Sequence, residues 1–340
     1  MSPFCSRKSK TRFTNSRIVG IASMSKINFV KVALYGASGL LGDAVSRALT
    51  KRHHEVLRYS VQTKKEGFHS LCLSNDEGLT RELLDLWPDA IINCAAISSP
   101  DHVNKDPSFS RKINIEGAVK LGEIASHLSA RFIHISTDMV FDGTASPYRS
   151  TDMPNPLNEY GRQKLEAEKK VLEVTDENLA ILRITLMNGN SPHGKRSPHE
   201  KMLRCLQNDV PITLFDDEMR QPCSAENVAS AVVELLERPN LNGLFHWAGS
   251  EEISRYELGI QILEYFGFSP SHIKKGFIKD YPGSEPRPSH LGFELAPLLG
   301  KLTVTPSSVR DQLEELRLPE DLFIWHRKNA DKPHHYIHKF

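Results

Sequence analysis

Short apolar runs alternate with amphipathic stretches along most of this chain. Asn28 to Tyr35 (NFVKVALY), His54 to Val61 (HEVLRYSV), Asp89 to Ala96 (DAIINCAA), Arg131 to Ser136 (RFIHIS) and Leu179 to Thr185 (LAILRIT) read as buried strands. Between them lie segments with helical spacing: from Gly42 to Leu49, over residues 78–86, from Pro107 to Leu128 and from Glu159 to Glu173. In the third of these, Ile113, Ala118, Leu121, Ile124, Ala125 and Leu128 form the apolar positions, and Asn114 lies among them. Five strands interleaved with helices predict an α/β fold built on a Rossmann-type doubly wound parallel sheet.

Beyond Leu186 the alternation loosens. Helices are predicted over residues 200–207, 225–236, 254–266 and 307–316, and strands over 212–215 and 243–247. The expected organisation is a basic N-terminal extension over 1–26, disordered, and a nucleotide-binding Rossmann domain over 27–185. A smaller C-terminal substrate-binding region over 186–318 follows, of which 208–240 return to the core, and then a polar tail over 319–340.

Composition narrows the function classes. Forty-three basic residues against 42 acidic ones leave a net charge of +1, so no global field points to nucleic acid or to an acidic membrane surface. No apolar run reaches the length of about 18 residues that a membrane span needs. The five cysteines are scattered and never form C-x-x-C, which fits reduced thiols in a cytoplasmic protein and neither a disulfide framework nor a zinc site. His334, His335 and His338 lack a spaced partner set, so no metal is expected. Residues 1–26 are Arg- and Ser-rich without an acid; they read either as a transit peptide or as the product of a start upstream of Met24.

Two motifs carry chemistry. The first strand runs into Gly36 to Gly42 (GASGLLG), in G-x-x-G-x-x-G spacing, and then into a helix. Glycines there permit a tight turn and close backbone approach, and the helix N-terminus presents unpaired N–H groups to a pyrophosphate. The next strand carries no acid between Leu57 and Lys65 but offers Arg58, Ser60, Lys64 and Lys65, which favours NADP over NAD. The third strand ends in small residues, Asn93 to Ala96 (NCAA), suited to a flat ligand at the sheet edge. Asn114 either supports the site or bonds backbone locally. The second motif is Tyr160-x-x-x-Lys164, preceded by Ser136 and Thr137 at the end of the fourth strand. On a helix, phenol and ammonium lie one turn apart, and the ammonium would lower the tyrosine pKa from about 10 and ready it for proton transfer.

The motifs GASGLLG (Gly36 to Gly42), NCAA (Asn93 to Ala96), STDMVFDG (Ser136 to Gly143), YGRQK (Tyr160 to Lys164) and GLFHWAG (Gly243 to Gly249) together resemble the extended short-chain dehydrogenase/reductases, in particular the dTDP-4-dehydrorhamnose reductase branch. The resemblance implies an NAD(P)H-dependent reductase of a keto group on a nucleotide-linked deoxysugar. It implies Thr137, Tyr160 and Lys164 as catalytic residues. It further implies cofactor contacts from Gly36, Ser38, Gly39, Leu40, Leu41, Gly42, Arg58, Asn93, Ala95, Ala96, Tyr160 and Lys164. Substrate contacts fall on Ser136, Met139, Arg220 and Arg287. At Met139 this branch usually has an aromatic hydroxyl, and Met cannot donate that hydrogen bond. Two further stretches, Phe141 to Gly161 and Gly243 to Leu258, are similar to the regulatory β subunit of methionine adenosyltransferase. That likeness implies an alternative: a non-catalytic NADP-binding subunit with a partner enzyme. A nucleotide-sugar epimerase is a third reading. A homodimer is compatible with each, and no nucleic acid or membrane partner is expected.

Overall fold

The computed structural model describes residues 29–61, 65–175, 177–281, 283 and 285–337. The N-terminal extension, Asn28, Lys64 and His338 lie outside these residues. Seven strands, β1 (Lys31–Tyr35), β2 (Glu55–Tyr59), β3 (Phe68–His69), β4 (Ala90–Asn93), β5 (Arg131–Thr137), β6 (Leu179–Ile184) and β7 (Gly243–Trp247), form one sheet in the order β7-β6-β5-β4-β1-β2-β3. Every pairing in it is parallel. The strand order reverses between β1 and β4, which opens a crevice beyond their carboxyl ends. The main helices are α1 (Leu40–Lys51), α2 (Asp76–Leu86), α3 (Gly117–Leu128), α4 (Glu159–Val174), α5 (Pro198–Gln207), α6 (Ala225–Glu237), α7 (Arg255–Tyr265), α8 (Val309–Glu315) and α9 (Phe323–Asn329). Among the described residues no helix is long and apolar enough to cross a membrane.

Strand periodicity divides the core into two layers. Val32, Leu34, Ile92, Ile133 and Leu182 point to the face covered by α1 and α6, where Ala44, Val45 and Leu49 pack with Val228, Val232 and Leu235. Their neighbours Ala33, Ile91, Phe132 and Ile181 point to the other face, covered by α2, α3 and α4 through Leu79, Leu83, Leu121, Ala125, Ala167 and Val171. Burial on both faces is why these strands read as continuous apolar runs rather than as alternating ones.

A third cluster joins Met202 and Leu203 of α5, Leu258, Ile262 and Leu263 of α7, and Val309 and Leu313 of α8. It also takes in Leu322 and Tyr336, which corrects the expectation of a polar tail after Leu318. The tail forms α9 and folds back: the Tyr336 hydroxyl accepts from the Leu318 N–H at 2.9 Å, and His326 Nε2 lies 2.6 Å from the Phe266 carbonyl oxygen. A few apolar side chains set among charges are enough to dock it. The predicted helix over 107–128 is likewise broken. Pro107–Arg111 is a short helix, Lys112–Glu116 a π-helical turn, and only then does α3 begin.

Candidate active site

The crevice between β1 and β4 starts with a turn that only glycine can make. Gly36 has φ +78°, and a Cβ there would meet the Ala95 backbone nitrogen at 2.7 Å. At Gly42 a Cβ would lie 2.1 Å from the Gly36 carbonyl oxygen, so helix and turn touch backbone to backbone. Gly39 caps α1 without any side-chain hydrogen bond, which leaves the first-turn N–H groups for a ligand. Gly36, Ser38, Gly39, Ala95 and Ala96 line the crevice. Leu41 is buried in the core instead, while the Leu40 side chain approaches Gly189; both lie in the first turn of α1. This cradle, with an uncapped helix end and no room for a Cβ, fits a dinucleotide pyrophosphate.

At the end of β2 the lining residues are Tyr59, Ser60 and Val61, and Ser38 Oγ lies 2.6 Å from Ser60 Oγ. Arg58 departs from its expected place. It alternates to the other side of the strand, and its Nε donates to Ser46 Oγ of α1 at 2.7 Å. Asn93 does not line the crevice; its Oδ1 accepts the Ala95 N–H at 3.0 Å and fixes the turn that does. Arg196, which the sequence reading passed over, also lines the crevice from the loop before α5.

β5 delivers the next group. Ser136 and Thr137 are adjacent on a strand and therefore face opposite ways. Thr137 lines a pocket together with Met139, Asn158, Tyr160 and Thr185. Ser136, expected at the substrate, instead donates to Glu168 Oε1 of α4 inside the protein. Glu168 is in turn held by Arg183 at 2.6 and 2.9 Å. α4 is set against the pocket by Asn158, whose side chain caps it by accepting from Gly161 N at 2.9 Å. Gly161 sits so near Met139 that a Cβ would lie 2.2 Å from the Met139 carbonyl oxygen.

The electrostatics of the Tyr160 and Lys164 pair correct the sequence expectation. The Tyr160 phenol is pushed up, not down, first by burial and then by the nearby Asp138 carboxylate, with the Thr137 hydroxyl pulling the other way. Lys164 does not offset this, because its Nζ points inward, 2.7 Å from the Ile135 carbonyl oxygen and 3.1 Å from His134 Nε2. Burial lowers Lys164 to about 8. Asn114 proves to be a long-range brace. Its Oδ1 accepts from Ile97 N at 2.8 Å, and its Nδ2 donates to Ile97 O at 3.1 Å and to Gln163 Oε1 at 3.0 Å. It thus ties the loop after β4 to α4 beside Lys164.

The far wall of the pocket is rich in cations: Arg220, Arg255 and Arg287 gather around the carboxylate of Glu218, and Lys201 lines the same pocket. Arg220, expected to grip substrate, is committed to the protein. Its Nη2 bonds Glu218 Oε1 at 2.9 Å and the Pro288 carbonyl at 2.9 Å, and its Nη1 bonds the Met219 carbonyl at 2.6 Å. Arg287 lies over the Tyr281 ring at 4.0 Å and reaches Glu218 at 3.3 Å. Arg255, the first residue of α7, has a buried Nη1 with no hydrogen-bond partner. Burial lowers its pKa, opposed by Glu218 and reinforced by Arg220 and Arg287. Sequence reading missed Arg255, although a cation in a helix's first turn opposes the macrodipole and signals a local conflict. The pocket lining sets these four cations against three carboxylates, Asp101, Glu218 and Glu285, a small positive excess that suits an anion where the guanidinium groups gather.

Known proteins share this family and fold. Residues 30–318 match the family model described as RmlD substrate binding domain. The chain is 32% identical over 264 residues to methionine adenosyltransferase 2 subunit beta of Xenopus laevis, covering 76% of this chain and 78% of that protein. A structure from Sulfolobus tokodaii described as a hypothetical dTDP-4-dehydrorhamnose reductase is 30% identical with a TM-score of 0.73, over 82% of this chain and 97% of that one. The dTDP-4-dehydrorhamnose reductase of Bacillus anthracis, solved in complex with NADP, superposes with a TM-score of 0.76 at 21% identity, over 84% of this chain and 98% of that one.

Proposed function

The chain belongs to the RmlD substrate-binding-domain family, and from that premise we propose that it is a reductase of a keto group on a nucleotide-linked deoxysugar, using NADPH in preference to NADH. One observation carries the reading: Thr137 and Tyr160 share a pocket with Lys201, Arg255 and Arg287, beside the glycine-turn crevice. A sugar diphosphate has the matching polarity. Its phosphates meet the guanidinium groups, which place the sugar carbonyl at the two hydroxyls. The cationic wall continues into a second cavity lined by Thr213, Phe215, Lys274 and Tyr281, which offers the nucleotide an aromatic surface. Tyr59, Ser60 and Val61 present no carboxylate at the end of β2, so nothing there opposes the 2′-phosphate of NADP.

The dinucleotide, when bound, supplies the hydride. The remaining work belongs to the chain. Hydride addition leaves negative charge on the carbonyl oxygen; Thr137, turning its single O–H from Asp138, donates a hydrogen bond to it and Tyr160 delivers the proton. A phenol held above its ordinary pKa suits this step, because it stays protonated until a strongly basic oxygen develops beside it. Lys164, whose Nζ is turned inward without ligand, reaches the ribose side of the dinucleotide by releasing the Ile135 carbonyl. The test is loss of reduced-nicotinamide absorbance on adding dTDP-4-dehydrorhamnose, with NADPH and NADH in parallel. Tyr160→Phe is expected to lower kcat by roughly 100-fold or more while leaving NADPH affinity in place; unchanged turnover would remove Tyr160 from the role of acid.

A second reading rests on the 32% identity to the methionine adenosyltransferase subunit and on Met139, which cannot replace an aromatic hydroxyl at the substrate. Under it the chain binds the dinucleotide and regulates a partner enzyme. Dinucleotide binding without oxidation, together with co-purification of a methionine adenosyltransferase, would favour it.

A further inference from the structure

Three buried polar groups form a chain behind the crevice: Asn93 at the end of β4, His134 within β5 and Lys164 in α4, all at most 2% exposed. His134 Nδ1 lies 3.3 Å from Asn93 Nδ2, and His134 Nε2 lies 3.1 Å from Lys164 Nζ. Donor counting places the protons. Asn93 Oδ1 accepts the Ala95 N–H, so the amide nitrogen is the edge turned to the imidazole. An amide nitrogen only donates, so Nδ1 accepts, and the neutral ring carries its proton on Nε2. That proton points at Lys164 Nζ. An ammonium has no lone pair to receive it, whereas a neutral amine has one and still donates to the Ile135 carbonyl at 2.7 Å. A charged Lys164 would force the ring proton onto Nδ1, against the Asn93 N–H. Flipping Asn93 would instead leave the Ala95 N–H facing an amide nitrogen. Burial acts in the same direction, lowering both Lys164 and His134.

We propose that Asn93 and His134 favour the uncharged amine of Lys164 in the ligand-free site, so that binding of an anionic dinucleotide is coupled to uptake of a proton at Lys164. The inference rests on the reading of the crevice as a dinucleotide site. Asn93 and His134 are positioning residues that act through Lys164. The titratable groups around Lys164 come from three elements. Glu168 of α4 favours the ammonium but is already engaged by Arg183 and Ser136. Cys94, just after β4, is held up at about 12 by burial and stays a neutral thiol. His134 of β5 is held neutral first by burial, and further whenever Lys164 carries its proton. The charge that would stabilise an ammonium therefore arrives with the ligand.

The test is calorimetric titration of the full chain with NADP⁺ in buffers of different ionisation enthalpy at pH 7 and pH 9. With a ligand-free value of about 8, Lys164 is already mostly charged at pH 7 and mostly neutral at pH 9. If binding restores it toward about 10.4, uptake is expected near 0.1 proton at pH 7 and about 0.9 at pH 9. Affinity then falls by up to about tenfold per pH unit above 8. His134→Gln places a carbonyl where an ammonium can donate; uptake at pH 9 should collapse and the affinity become flat with pH. Lys164→Met, which does not depend on how the Gln variant folds, should abolish the dependence of the binding heat on buffer at pH 9, whatever affinity it retains. Heats at pH 9 that are the same in every buffer, or uptake that persists in Lys164→Met, would overturn the proposal and leave the dinucleotide site standing. Absence of any binding heat at either pH would overturn the dinucleotide reading and this inference with it.

Discussion

Asp138 shows how the site weighs on stability. Its carboxyl is buried, accepts from Thr137 Oγ1 at 3.1 Å, and is raised to about 6 by burial, against the pull of Arg220. A carboxyl whose folded pKa lies above its unfolded value binds its proton more tightly when folded. Its contribution is therefore fully present below about pH 4 and is lost as pH rises through 6. Above pH 6 the ionised group costs on the order of 3 kcal/mol. Asp138→Asn should remove that dependence, so the urea-unfolding difference between variant and wild type should grow in the variant's favour by about 3 kcal/mol from pH 4 to pH 7. A constant difference over that range would show that Asp138 does not titrate there. In the buried pair Arg183 and Glu168 each group is satisfied by the other. Arg183→Met leaves Glu168 with Ser136 alone and should cost about 3–5 kcal/mol in urea unfolding. Both sites show what single residues reveal in sequence. Thr137 and Tyr160 were legible because a strand end and a helical tyrosine–lysine spacing place them together. Ser136 was misread as a second substrate hydroxyl, although strand alternation alone sends it to the opposite side.

At the scale of elements, the glycine turn was legible as a unit, while the different demands on its glycines were not. Gly36 and Gly42 are fixed by backbone atoms that cannot yield, whereas a Cβ at Gly39 meets only the Gly36 carbonyl oxygen at 3.2 Å. Gly42→Ala should therefore destabilise the protein by about 1–3 kcal/mol or more through overpacking, and Gly39→Ala by less than about 1 kcal/mol. Urea unfolding of the two variants side by side checks the ranking; equal losses would mean that the turn relaxes as a whole. The strands and α1, α4 and α6 were readable because their apolar periods are local properties of the chain. The π-helical turn at Lys112–Glu116 was not, since the bonds that accompany it reach Ile97 and Gln163. For the same reason Asn114 stayed ambiguous until the fold brought those partners to it.

Over the whole molecule, the cationic wall collects residues from four separate stretches, α5, the β6–β7 connection, the start of α7 and the turn at Arg287, and no spacing rule links them. Its rigidity depends on the cluster that holds α7, and that cluster is closed by the C-terminal segment. Phe266 and Phe268, which follow α7, are buried against Trp325 and Tyr336, with Phe268 and Trp325 stacked at 5.4 Å and Phe266 tilted against Tyr336 at 4.9 Å. Lys332 N donates to the Gly267 carbonyl at 2.8 Å, and Asp331 accepts from Ser269 N at 2.7 Å. Truncation after Leu318 removes these contacts and should cost several kcal/mol, at roughly 1.5–3 kcal/mol for each large apolar side chain exposed. The glycine-turn crevice belongs to the two layers on the seven-stranded sheet and shares no core cluster with the tail. Truncated protein should therefore melt the cluster around α7 at a lower temperature and bind a hydrophobic dye, yet still take up NADP⁺. Loss of NADP⁺ binding in step with the tail would mean that the two regions unfold as one cooperative unit, and the wall at Arg255 would then be coupled to the crevice through the fold itself.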